Sequence, residues 1–152
     1  MTVSQTLADL GIELPAVVPP VAAYIPAIVH GDLVYTSGQL PMSGGRLPAT
    51  GKVGGEVSPD DATAYARQSA LNAIAAAAAA VGGVDRLTGV VKVVGFVAST
   101  PDFTGQPGVI NGASELLGEV FGEAGRHARS AVAAPVLPLD SPVEVEVVFS
   151  FA

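Results

Sequence analysis

No cysteine occurs anywhere in this sequence. That excludes a disulfide framework, thiolate chemistry and cysteine-ligated metal, and it is compatible with a cytoplasmic location. Positive charge is also scarce. No Lys or Arg precedes Arg46, the seven cations form no run, and the net charge is -7. A nucleic-acid partner needs a basic patch to neutralise phosphates, so no nucleic acid is expected among the partners. Gly and Pro interrupt every apolar stretch before it reaches the roughly 18 residues of a membrane span. The N-terminus lacks the basic and apolar regions of a signal peptide, so no membrane association is expected either. The only histidines are His30 and His127, and neither belongs to a cluster with metal-ligand spacing. Ser37 stands outside a Gly-x-Ser-x-Gly elbow. Gly44-Gly45 and Gly54-Gly55 are isolated pairs that read as turns rather than phosphate loops.

What is present suits one domain of 152 residues, 49% hydrophobic and only 14% charged. The core is affordable, and the low charge suggests that other subunits cover part of the surface. Met1 to Pro20 reads as an N-terminal arm. Leu7, Leu10, Ile12 and Leu14 allow one short helical turn before Pro15, Pro19 and Pro20 forbid more. Residues 21–152 read as the domain. A weak strand around Ile25 to Val29 and a second over Asp32 to Gly38 flank a turn at Gly31. Ser58-Pro59-Asp60-Asp61 has a helix-capping pattern, and the helix should run to about Val81 and stop at Gly82-Gly83. Leu71, Ile74, Ala78 and Val81 mark its apolar stripe, and its alanine run permits close packing. Val90 to Ala98 is apolar on both faces and should be a central strand. Pro107 to Gly122 reads as a second helix, weakened by Gly112 and Gly118. Arg129 to Ala134 and Val143 to Phe151 are the last strands. The fold class is α+β, with two helices on one face of a mixed sheet.

Arg129 and Glu144 are the candidate catalytic residues. A guanidinium can grip a carboxylate with two parallel hydrogen bonds, and a strand-borne glutamate can position water. A hairpin centred between Val136 and Leu137 would place the two opposite each other on adjacent strands. In that arrangement they could equally form a cross-strand salt bridge of no catalytic meaning. Glu144 and Glu146 could likewise be plain solvated positions on one strand face.

The ordered set Tyr24, then Val34-Tyr35-Thr36-Ser37-Gly38-Gln39-Leu40-Pro41, then Arg67-Gln68-Ser69 with Asn72, then Asn111, then Arg129-Ser130-Ala131-Val132, Leu137-Pro138 and Val143-Glu144-Val145-Glu146, resembles the RidA family, the YjgF-type reactive-intermediate deaminases. The resemblance covers about residues 21–151. It implies a chorismate-mutase-like fold and a homotrimer with ligand clefts between subunits. It also implies hydrolysis of enamines and imines such as 2-aminoacrylate to 2-keto acids and ammonia, with no cofactor and no metal. Arg129 matches the arginine that binds the substrate carboxylate, and Glu144 the glutamate that positions or activates water. Tyr24, Ser37, Gly38 and Asn111 match pocket residues. Ala131 stands where active members often have cysteine, contributing through its backbone. The partner implied is a small imino or keto acid. Pro135, the N-terminal arm and Asn111-Gly112-Ala113-Ser114 depart from the family pattern and suggest a divergent subgroup. A non-catalytic carboxylate-binding module and an endoribonuclease are the alternatives. Intact Arg129 and Glu144 count against the first, and the acidic balance counts against the second.

Overall fold

In the computed structural model, which describes residues 1–152, the chain begins with a fully capped helix, α1 (Val3–Asp9). The Thr2 hydroxyl accepts from the Gln5 N–H at 3.2 Å, and the Gln5 side-chain oxygen accepts from the Thr2 N–H at 2.9 Å. This reciprocal pair satisfies two donors that a helix start leaves free. The helix therefore lies earlier and is longer than the leucine spacing suggests. α1 docks through Leu7, which is buried in the main core. Its Ser4 donates from both N–H and Oγ to Asp85, each at 2.7 Å.

Strands β1 (Ala27–His30) and β2 (Leu33–Thr36) form an antiparallel hairpin across Gly31-Asp32. Gly31 takes φ 64°, where a glycine has no Cβ to clash. Helix α2 (Pro59–Val81) starts at Ser58, whose Oγ accepts from the Asp61 N–H at 3.1 Å, and ends at left-handed Gly82. Only the Ser58 half of the capping pattern forms, because the aspartate side chain is one methylene shorter than glutamate. β3 (Leu87–Ala98), α3 (Gln106–Phe121), β4 (Ala128–Ala134) and β5 (Val143–Phe151) complete the chain.

The sheet order is β1-β2-β5-β3-β4, with β3 and β4 parallel and every other pair antiparallel. The parallel pair is possible because α3 carries the chain back between its strands. β3 is internal, as its two apolar faces require. The last two strands are not a hairpin, and Arg129 does not lie opposite Glu144. β3 separates them: Arg129 pairs with Val93 and Glu144 with Phe96. Two features explain this. Val143, Val145, Val147 and Phe149 are all buried, so β5 belongs in the sheet interior. Pro135, which has no N–H, follows directly on β4 and suits an edge strand that stops there.

Both long helices lie on one face. Ala62, Ala66, Ala70, Ala73 and Ala77 of α2 are fully buried beside Ile74. The buried face of α2 is broader than a four-residue stripe, because alanine lets α3 and the sheet approach from two directions. The opposite sheet face is open. Ile28 pairs with Tyr35, Tyr35 with Val148 and Val148 with Lys92, a single row across four strands. Ile28, Tyr35 and Val132 on this face are 57%, 40% and 46% exposed.

Candidate active site

Arg129 lies on the helix-facing side of β4, in register with buried Val93. Its Nη1 donates to Asn111 Oδ1 at 2.8 Å and to Ser114 Oγ at 3.2 Å, and its Nη2 donates to the Pro107 carbonyl at 3.2 Å. Three residues of α3 thus fix the guanidinium plane. A guanidinium has five N–H donors. Three are used here, so two remain for a ligand. Asn111 joins Arg129 as the sequence suggests. Ser114 and His127 do so without having been picked out as site residues. His127 Nε2 lies 2.9 Å from Ser114 Oγ, and its Nδ1 lies 2.6 Å from the Gly125 carbonyl. The available signal was the spacing of Asn111 and Ser114, three apart and therefore on one helix face. Ala131 sits two residues on, paired with Gly95 and packed against the core.

Glu144 occupies the other face of the sheet, opposite half-buried Phe96. Burial, and secondarily the negative charge of Glu146, raises its carboxyl above the ordinary glutamate value. Its carboxylate lies directly over Gly38, where a Cβ would overlap Glu144 Oε1. A side chain at this position would require the Glu144 carboxylate to move. Glu144, Gly38 and Tyr24 line one cavity of about 480 Å3, together with residues 15–21 of the N-terminal arm. The Tyr24 hydroxyl accepts from the Val21 N–H at 3.3 Å. Ser37 does not line this cavity. Its Oγ donates to the Ile25 carbonyl at 2.6 Å, tying down the chain that enters β1.

The chain therefore presents two candidate half-sites. One is a cation with a fixed plane on an edge strand, and the other a carboxyl of raised proton affinity in a largely apolar cavity. They face opposite sides of one sheet, so a single chain does not bring them onto one small ligand. Nor do they neutralise each other, since the ion pairs present are Arg67–Glu119 and Arg126–Glu123. The cross-strand salt bridge does not exist. No group of three or more His, Cys, Asp or Glu residues is arranged to hold a metal ion. No helix is long and apolar enough to cross a membrane.

A family model described as "YjgF/chorismate_mutase-like, putative endoribonuclease" matches residues 4–152. Protein TCP17 of Trypanosoma cruzi is 42% identical, covering 95% of this chain and 91% of its own length. The crystal structure of a protein from Shewanella oneidensis MR-1 superposes with a TM-score of 0.95 at 34% identity, over 99% of this chain and 100% of that one. The YjgF gene product of E. coli superposes with a TM-score of 0.63 at 29% identity, over 90% of this chain and 91% of that one. The mixed sheet with two helices on one face is thus the chorismate-mutase-like α+β fold, and the chain belongs to the YjgF/RidA family.

Proposed function

We propose that this protein is a cytoplasmic imine deaminase that works as a homotrimer. Arg129 of one copy and Glu144 of a neighbouring copy would meet at each boundary between subunits. The observation that carries this reading is the Arg129 guanidinium, fixed by Asn111, Ser114 and the Pro107 carbonyl with two donors still free. Two parallel N–H groups are what a carboxylate accepts. The anchored carboxylate places the adjacent C2 of a 2-imino acid beside Glu144, which orients water. The water oxygen bonds to C2 and the C–N bond breaks. The water protons pass to nitrogen, which leaves as ammonia, and a 2-keto acid remains. Positioning supplies most of the rate because the imine carbon is already electrophilic. Keto-acid release from freshly generated imino acids tests this directly. A rate no faster than in buffer alone would remove the reading.

The trimer rests on the family, on the apolar row through Ile28, Tyr35 and Val148, and on the separation of the half-sites. Light scattering should give three times the 15.1 kDa chain mass. A stable monomer with full activity would contradict a shared site.

A second reading, RNA cleavage, enters through the words of the family description. A net charge of -7 with dispersed cations argues against it, and nuclease-free protein should leave RNA intact.

The proton affinity of Glu144 gives a pH prediction. Water activation needs the carboxylate, so the rate should fall as pH drops through a value above the ordinary glutamate range. Glu146→Gln removes the like charge and lowers the Glu144 value, so the acid limb should move to lower pH. Burial is the larger cause and persists, so the limb should stay above the unperturbed position. A profile unchanged by Glu146→Gln would assign the acid limb to another group.

A further inference from the structure

The cavity beside Glu144 is much larger than a three-carbon imine requires. At about 480 Å3 it falls within the roughly 300–1,000 Å3 of pockets that enclose drug-sized ligands. Pro15, Val17 and Val21 wall it on the side of the N-terminal arm, and Leu40, Met42 and Leu139 also line it. Glu144 is its single charged residue, Tyr24, Gln39 and Ser43 add neutral polar groups, and most of the exposed wall is apolar.

Two further observations concern how that wall is held. The arm is tied at both ends of the segment that crosses the cavity. Upstream, α1 is docked by Leu7 and by the Ser4–Asp85 bonds. Downstream, Ser37 on the domain donates from its Oγ to the Ile25 carbonyl at 2.6 Å and from its N–H to the Pro26 carbonyl at 2.8 Å. Residues 15–21 are therefore a strap rather than a loose end. Leu139 is also unusual. It takes φ 57°, followed by Asp140 at φ 58°, in the left-handed region that costs a side-chain-bearing residue energy. Its side chain nevertheless remains 59% exposed. The turn holds the fold through its backbone, where the Asp140 carbonyl accepts from the Gly51 N–H at 3.0 Å, and it leaves the Leu139 side chain at the cavity wall.

We propose that the strap and Leu139 form a substrate side-chain subsite, so that the imines this protein hydrolyses carry large apolar side chains, branched aliphatic or aromatic. The proposal rests on the deaminase reading and specifies its substrate class. The imine carbon stays beside Glu144, and the side chain lies under Pro15–Val21 against Leu139. Small imines bind without filling the subsite and gain nothing from it.

The test uses the full chain and imines generated in place from alanine, leucine and phenylalanine. Wild-type kcat/KM should favour the leucine or phenylalanine imine over the alanine imine by about tenfold or more, the discrimination that even one methylene can supply in an apolar pocket. Leu139→Gly suits a left-handed position and should not impair folding. It and Val17→Asp should each reduce that preference several-fold, with circular dichroism and assembly state unchanged. An alanine imine hydrolysed as well as the larger ones, or a preference that neither variant moves, overturns the proposal and leaves the deaminase reading standing. If no imine is hydrolysed, the deaminase reading fails instead, and calorimetry with 2-keto acids decides the subsite. Then 4-methyl-2-oxopentanoate should bind about tenfold more tightly than pyruvate, and equal affinities would overturn the subsite.

Discussion

Arg129→Ala should cost on the order of 2–5 kcal/mol in transition-state stabilisation, roughly a thirtyfold to several-thousandfold loss in kcat/KM, if the guanidinium–carboxylate pair is closed off from water at the subunit boundary. The same change strands Asn111 Oδ1 and Ser114 Oγ, which now accept from the guanidinium. Arg129→Lys keeps the charge but not the planar fork. An ammonium cannot reach Asn111, Ser114 and the Pro107 carbonyl while also offering two parallel donors outward, so lysine should rescue little. Glu144→Gln divides the labour differently. It keeps size and a hydrogen-bonding oxygen but loses basicity, so keto-acid affinity should survive while turnover slows. Affinity and imine hydrolysis are to be measured on all three variants after each is shown to assemble. If Arg129→Lys matches wild type in both measurements, the carboxylate clamp is wrong. If Glu144→Gln turns over normally, water activation belongs elsewhere and Glu144 is a structural strand residue.

The same substitution at two glycines of α3 should move stability in opposite directions. Helix propensity alone favours alanine over glycine by about 1 kcal/mol at either. At Gly118 nothing lies within 4 Å of where a Cβ would stand, so Gly118→Ala should stabilise by up to about 1 kcal/mol. At Gly112 the Cβ would overlap the backbone carbonyl of Thr63 on α2. A carbonyl cannot rotate aside as a side chain can, so α2 and α3 must separate along the alanine face that packs them. Overpacking of this kind costs typically about 1–3 kcal/mol and occasionally more. Gly112→Ala should therefore lower Tm by several degrees, at about 2–4 °C per kcal/mol for a chain of this length. Thermal melts of both variants at equal protein concentration check the pair. Two shifts of the same sign would show that the close approach at Thr63 is not what requires glycine.

The elements were largely legible in the sequence because each carried its own local physics. Ser58 with Pro59 fixed one end of α2 and Gly82 the other. The alternation of Val143, Val145, Val147 and Phe149 with Glu144 and Glu146 fixed both the strand and its faces. Sheet order was not legible, because it is decided between distant segments. The Leu-Pro turn after β4 suggested a hairpin, yet the more apolar β5 took an interior place and left β4 on the edge. That single difference put Arg129 and Glu144 on opposite faces. Some site residues were legible by type and order but not by contact. Asn111 meets Arg129 as its motif position implies, whereas Ser37 spends its hydroxyl on the Ile25 carbonyl. For Ser114 the three-residue spacing from Asn111 marks only a shared helix face, and its contact with Arg129 becomes visible only once β4 lies against α3. The strap across the Glu144 cavity was hidden for the same reason. Its prolines forbid a helix but say nothing of where an extended segment lies.

The bonds behind Arg129 have a direction. The Gly125 carbonyl can only accept, so at 2.6 Å the His127 Nδ1 must carry the hydrogen. Neutral His127 is thereby committed to one tautomer, and its Nε2 is left as an acceptor. The Ser114 hydroxyl proton must then point at that nitrogen, which leaves the oxygen lone pairs for the Arg129 N–H. A backbone carbonyl thus sets the polarity of every bond from Gly125 to the guanidinium. The donor–acceptor order behind the guanidinium is in this way set by the tautomer of a side chain two residues before it.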